Sequence, residues 1–248
     1  MSDRDDAPTA GGAHPGRRRS PGIAIAGLLG ELLITMGALL GLFVVWQLWW
    51  TDVIADRAQA ELVTELGWTQ YPAPGDQAAV LHREPAPVME APAHATTFAT
   101  LRVPRWGQEY LRPVSEGTST RDVLDTLGIG HYEGTAMPGG IGNFAIAAHR
   151  TTYGKPFNRI TELQLGDPLV VQTEDIWYVY RVTGTQVVRP RQVEVIAPVP
   201  GDPAAEPTAA IMTMTTCHPM YSARERFIVH AELDYWMRAE DGTPAEIS

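Results

Sequence analysis

Residues 22–50, GIAIAGLLGELLITMGALLGLFVVWQLWW, constrain this chain more than any other stretch. A run of about 29 residues this apolar exceeds the ~20 needed to cross a bilayer, and a spanning segment must satisfy its backbone internally, as a helix. It is longer than the ~7–15-residue apolar core of a signal peptide, and no small-residue cleavage site follows, so it reads as a retained anchor. Arg17, Arg18 and Arg19 abut its start, whereas Arg57 after it stands among Asp52, Asp56 and Glu61. That asymmetry predicts a cytoplasmic N-terminus and an extracellular remainder, in a single-pass protein of the cell membrane. Trp46, Trp49 and Trp50 bunch at the outer end, where indoles suit the headgroup layer. Glu31 lies inside the span, where an ionised carboxylate is costly, and is read as protonated or snorkelling.

Composition then divides the rest. Residues 1–21 are a polar cytoplasmic tail and 22–50 the transmembrane anchor. Residues 51–97 are a stalk and linker: TDVIADRAQAELVTELG reads as a helix with Gly67 as its stop, and the Pro- and Ala-rich stretch that follows reads as extended. Residues 98–240 form the folded domain and 241–248 a C-terminal tail. Within the domain, FATLRVP, NFAIAAH, PLVVQT, IWYVYRVTGTQVV, AAIMTMTTC and RFIVHAELDYW have the β-branched, aromatic and alternating character of strands. Helical pattern is confined to STRDVLDTLG and PFNRITEL. The expected fold is therefore mainly β, a barrel or sandwich with short helices, preceded by one transmembrane helix.

A net charge of −10 excludes nucleic acid as a partner, because a phosphate backbone is bound by clustered Lys and Arg. The single cysteine, Cys217, cannot form an internal disulfide. A lone Cys is most often a small buried hydrophobe. In an exported domain, however, an unpaired thiol is open to oxidation, a liability better understood if the thiol is used. A nucleophilic thiol has a pKa near 8.5 when free and needs a His or Arg nearby to favour the thiolate.

Seven histidines compete for that role. Position removes His14, in the tail, and His82 and His94, in the linker. His218 adjoins Cys217 and points to the opposite face of an extended strand. His131 lies in a turn-rich stretch and can bond the backbone, and His230 is open as a partner. His149 closes the strand NFAIAAH just before a loop, so a rigid element delivers it to an edge. For oxyanion stabilisation SARERFIV offers Arg224 and Arg226, the second better fixed at a strand start.

TMTTC followed by an arginine at the head of a strand resembles the TLxTC signature of sortases, with Met214 in the usual Leu place. GHYEGTAMPGGIGNFAIAAHRTTYGKPF resembles the histidine region of the same family, with Ala148 where Gly is usual. Together with VPRWGQEYLRPV and the anchor, TTCHPMYSARERFIVHAEL is similar to class E sortases of actinobacteria. The resemblance implies a closed β-barrel and a cysteine transpeptidase, with no cofactor or metal. Cys217 would attack the Thr–Gly carbonyl of a C-terminal LAXTG-like sorting signal on a secreted protein. His149 would protonate the leaving amine and deprotonate the incoming one, and Arg226 would steady the oxyanion. Met214, Thr215 and Thr216 would lie along bound substrate. The acceptor would be a cell-wall amine, on a lipid-linked peptidoglycan precursor, or a pilin lysine.

Two other classes compete. An exported L,D-transpeptidase also uses Cys and His, but would show His-Gly-Cys where this chain has Thr216 before Cys217. A non-catalytic, membrane-anchored β-domain binding wall components would leave Cys217 buried.

Overall fold

The computed structural model describes residues 21–68 and 80–247. The tail with His14 and Arg17–Arg19, and linker positions 69–79, lie outside the described residues. The chain separates into two compact units, one ending at Gln47 and the other beginning at Leu48. Helix α1 (Pro21–Leu66) contains the apolar segment. Its most hydrophobic window has a mean hydropathy of 2.3 and no buried residues, so the helix is long and apolar enough to cross a membrane. Gly67, at φ 69°, ends it as a left-handed cap whose N–H donates to the Thr64 carbonyl at 3.1 Å.

Eight strands close a barrel in the order β1-β2-β3-β4-β7-β8-β6-β5. They are β1 (Thr97–Arg102), β2 (Leu111–Glu116), β3 (Ile129–His131), β4 (Gly142–Ala147), β5 (Pro168–Gln172), β6 (Ile176–Val188), β7 (Ala210–His218) and β8 (Glu225–Arg238). Pairs β2–β3 and β4–β7 are parallel and the others antiparallel. Six strands fall where alternation and β-branched residues predict them; β2 and β3 were not predicted. β2 carries Pro113, and β3 is only three residues long with Gly130 at its centre, so neither shows a strand pattern. The two helical patterns shrink to a single π turn at Thr120–Leu124 and a 3-10 turn at Ile160–Glu162.

Strand parity sorts the side chains. On β4 Phe144 and Ile146, on β7 Met212 and Met214, and on β8 Val229 and Ala231 enter the main core, with Tyr178, Tyr180 and Val182 of β6. The residues between them point outward. On β6 the outer face is covered as well: Trp177 and Val179 pack with Tyr235, Met237 and Ala239, and Ile247 joins them. The outer face of β8 is covered in part by the β6–β7 connection, where Val195 packs on Ile228 and Val188. Upstream of the barrel, His82 stacks on Trp236 at 4.2 Å, and the Tyr178 hydroxyl donates to the Pro87 carbonyl at 2.8 Å. The chain from Val80 onward therefore lies along the domain.

Asn143, 1% exposed on the outer face of β4, donates its amide to the Ala197 carbonyl at 2.9 Å and the Val195 carbonyl at 3.3 Å. It ties the β6–β7 connection to the sheet. Asn143→Ala removes both bonds and leaves two buried carbonyls short of a donor, which is expected to cost about 1–3 kcal/mol. A lowered urea midpoint with an unchanged slope measures it.

Candidate active site

Three strands deliver the candidate residues. β7 runs parallel to β4 on one side, with Ala147 opposite Thr215, and antiparallel to β8 on the other, with Cys217 opposite Arg226. Directly opposed residues have Cα atoms about 4.5–5.5 Å apart and project to the same face. β4 ends at Ala147, so His149 lies two residues past the paired ladder. Because Met214 and Thr216 share the inward parity, Thr215 and Cys217 look outward, and so does Arg226, with Ile228 and His230. The predicted thiol and guanidinium positions therefore stand opposite one another on one face, with the histidine on the chain just past the end of the strand on the other side of β7.

His149 is held from a direction the sequence did not suggest. Its Nε2 lies 2.7 Å from Oδ1 of Asp125, just after the π turn, and each side chain is 22% exposed. A carboxylate only accepts, so Nε2 carries the proton and Nδ1 is the acceptor of the neutral ring. The Tyr153 ring lies 5.2 Å from the imidazole, tilted by 33°. Arg226 directs Nη1 to the carbonyls of Ala223 and Glu225, at 3.0 and 2.9 Å, which fixes its stem at the β7–β8 connection. Arg224 precedes β8 and is exposed.

A further arginine supports the strand end. Arg150, 5% exposed, places Nη1 2.7 Å from His218 Nδ1 and 3.4 Å from the Cys217 carbonyl. Burial lowers its pKa, and the charge of Cys217 acts against that shift. His218 is thereby taken up by Arg150 and by Phe227, whose ring is 5.6 Å away. Thr216 donates its hydroxyl to the Ala148 carbonyl at 2.7 Å, so Ala148 contributes backbone only. Thr215 meets the Tyr132 hydroxyl at 3.0 Å, while Met214 is fully buried in the main core.

The other candidate histidines have structural partners. His131 is fully buried between Glu116, 2.7 Å from its Nδ1, and the Thr135 hydroxyl, 2.8 Å from its Nε2. His230 shares the outward parity of Arg226 but sits two outward positions further along β8, bonded to Thr213 and Gln186 at 2.9 Å each. Among the described residues no cluster of three or more His, Cys, Asp or Glu is arranged to hold a metal ion. A cleft of about 460 Å³ beside Met89, Phe98, Ile176 and Tyr178 contains none of Cys217, His149 or Arg226.

A free thiol opposite an arginine on a closed eight-stranded barrel, with a histidine just past the end of the neighbouring strand, is compatible with a cysteine transpeptidase. A family model described as the sortase domain matches residues 101–234, and the chain belongs to the sortase family. It is 36% identical to sortase SrtE2 of Streptomyces coelicolor over 94% of this chain and 92% of that protein. It is also 36% identical to SrtE1 of the same organism over 88% of this chain, but spans only 60% of SrtE1's length. Among solved structures it is similar to the SrtA sortase of Actinomyces oris, with 45% identity and a TM-score of 0.64 over 67% of this chain and 96% of that one. The structure of S. coelicolor sortase E1 with a tripeptide in its active site shares 34% identity at a TM-score of 0.57, over 64% of this chain and all of that one. The Streptomyces relatives are sortases of class E, the class that the TMTTC and histidine-region residues imply.

Two predictions follow from the site's geometry. Asp125→Ala frees the imidazole without touching the thiol and is expected to lower turnover by up to about 10²-fold, the scale of a misplaced catalytic group; steady-state kinetics on the purified protein would measure it. Burial holds His230 below its ordinary 6.5. The unfolded chain then binds the proton more readily, so stability from this group is fully present above about pH 6.5 and is lost as pH falls below it. His230→Gln should flatten the acid-side fall in melting temperature between pH 7.5 and 5.

Proposed function

We propose that this sortase is held at the cell membrane by α1, with its catalytic domain outside, and that it cleaves an LAXTG-like sorting signal between Thr and Gly. The observation that supports the reading is the β7–β8 register, in which Cys217 stands opposite Arg226, with His149 following the end of β4, the strand on the other side of β7. The Cys217 thiolate attacks the Thr carbonyl carbon. The tetrahedral oxyanion is met by the Arg226 guanidinium, whose planar fork leaves donors beyond the Nη1 bound to backbone. His149 gives a proton to the leaving glycine amine, and a thioester joins the substrate's threonine to Cys217. An incoming amine, from a lipid-linked wall precursor or a pilin lysine, loses its proton to His149 and displaces the thiol. Thr215, outward like Cys217, lines the substrate's path, whereas Thr216 and Met214 face inward and support the strand from behind. Holding enzyme, sorting-signal protein and lipid-linked acceptor at one membrane raises their effective concentration.

The test uses the full chain in detergent micelles with an LAXTG peptide and a small amine, read by mass spectrometry. The expected product is the peptide cut after Thr and joined to the amine, absent with Cys217→Ala. Arg226→Lys keeps the charge but loses the fork, and is expected to leave turnover reduced by about 10²-fold or more. Cleavage by Cys217→Ala, or an intact LAXTG peptide with the unaltered chain, would contradict the proposal.

A further inference from the structure

The sequence suggests a stalk for residues 51–66, yet one face of this part of α1 is packed. Ala55, Gln59 and Val63, at successive four-residue intervals, are 4%, 0% and 7% exposed. That spacing keeps them on one stripe of the helix. Its centre is a glutamine with no exposed surface, a costly placement unless the amide is used. Gln59 donates its Nε2 to the Tyr153 carbonyl at 3.2 Å. About two turns earlier, Asp52 accepts from the Gly154 N–H at 3.2 Å and from the Lys155 ammonium at 2.8 Å. Asp56 pairs with Arg112 at 2.8 Å.

Two glycines permit this approach. At Gly154, φ +75°, a Cβ would stand 3.0 Å from Asp56 Oδ1 and 3.1 Å from Gln59 Nε2. At Gly128, φ +99°, a Cβ would stand 2.8 Å from Gln59 Cδ. A side chain at either position would crowd Asp56 or Gln59 and would strain a backbone in the left-handed region.

The two contacted segments are those that set the histidine. Gly154 lies in the loop that follows His149, next to the Tyr153 whose ring rests against the imidazole. Gly128 lies three residues beyond Asp125, whose carboxylate holds Nε2 of His149. Gln59 therefore touches the chain on both sides of the Asp125–His149 pair. We propose that the end of α1 nearest Leu66 is a working part of the active site, with Gln59 and Asp52 as positioning residues that hold the 153–155 loop and the Gly128 turn, and so fix His149. The helix carrying the apolar segment then also sets catalytic geometry. The inference rests on the reading that His149 moves protons in the reaction.

The experiment uses the full chain in micelles, labelled with 13C at histidine Cε1, and compares Asp52→Ala/Gln59→Ala, Tyr153→Ala and Tyr153→Phe with the unaltered protein. His131 and His230, in the barrel wall, report whether each variant is folded. With those two signals in place, the double variant and Tyr153→Ala are expected to shift the His149 signal and to lower kcat on the LAXTG peptide about tenfold, with KM within about twofold. Tyr153→Phe keeps both the ring and the carbonyl that Gln59 holds, and should behave as the unaltered chain. If the double variant is unfolded, Asp52→Asn, which keeps the side chain's size and loses the ion pair with Lys155, decides by the same two readouts. An unmoved His149 signal, or a moved signal with unchanged kcat, overturns the proposal. If the unaltered chain leaves the peptide intact, the substrate assignment fails and the His149 signal decides the positioning role by itself.

Discussion

The site depends on one constraint: β7 is hydrogen-bonded on both sides, to β4 in parallel and to β8 in antiparallel register. A slip of one residue in either ladder would turn a whole set of side chains to the other face, moving Met212 and Met214 out of the core and Cys217 into it. The buried methionines and Phe144 thus enforce the register that sets Cys217 opposite Arg226. Core packing and catalytic geometry are here one requirement. The strand end itself is secured by Thr216 bonding the Ala148 carbonyl and by Arg150 reaching the Cys217 carbonyl and His218.

The outer face of this three-stranded region is partly roofed. The β6–β7 connection packs Val195 on Ile228 and is tied down by Asn143, and the β7–β8 connection supplies the carbonyls that orient Arg226. Rigid strands thus carry the reacting groups while the connections between them form the walls, the usual division between a scaffold and its binding loops. His149 stands at the junction of the two kinds of element. It leaves β4 just as the ladder ends, so its orientation is set by Asp125 and Tyr153 and not by sheet hydrogen bonds.

Much of this was legible in the sequence. Six of the strands announce themselves by alternation and β-branched residues, and the barrel closure follows from resemblance to sortases. Cys217 stands out because it is unpaired, and His149 and Arg226 because each adjoins a strand terminus. Asp125 was not legible: it is 24 residues from His149, at the end of a short helical pattern that carries no catalytic signal, and only the fold brings the two together. Arg150 was overlooked for a local reason, since it follows the histidine and points the other way, into the protein. The packed face of α1 was hidden because its central residue is Gln59; a search for apolar spacing finds Ile54, which is 50% exposed, and passes over the buried stripe.

The central claim is that Cys217 forms a covalent acyl link to its substrate while His149 and Arg226 serve that step. The most direct measurement is the intact mass of the full chain, quenched in acid within seconds of mixing with an LAXTG peptide and no added amine. The account predicts a fraction of the protein heavier by the peptide's acyl part ending in threonine, located on Cys217 by fragmentation and removed by hydroxylamine. Peptide cleavage with an adduct on any other residue, or cleavage that persists with Cys217 blocked by prior alkylation, would contradict it.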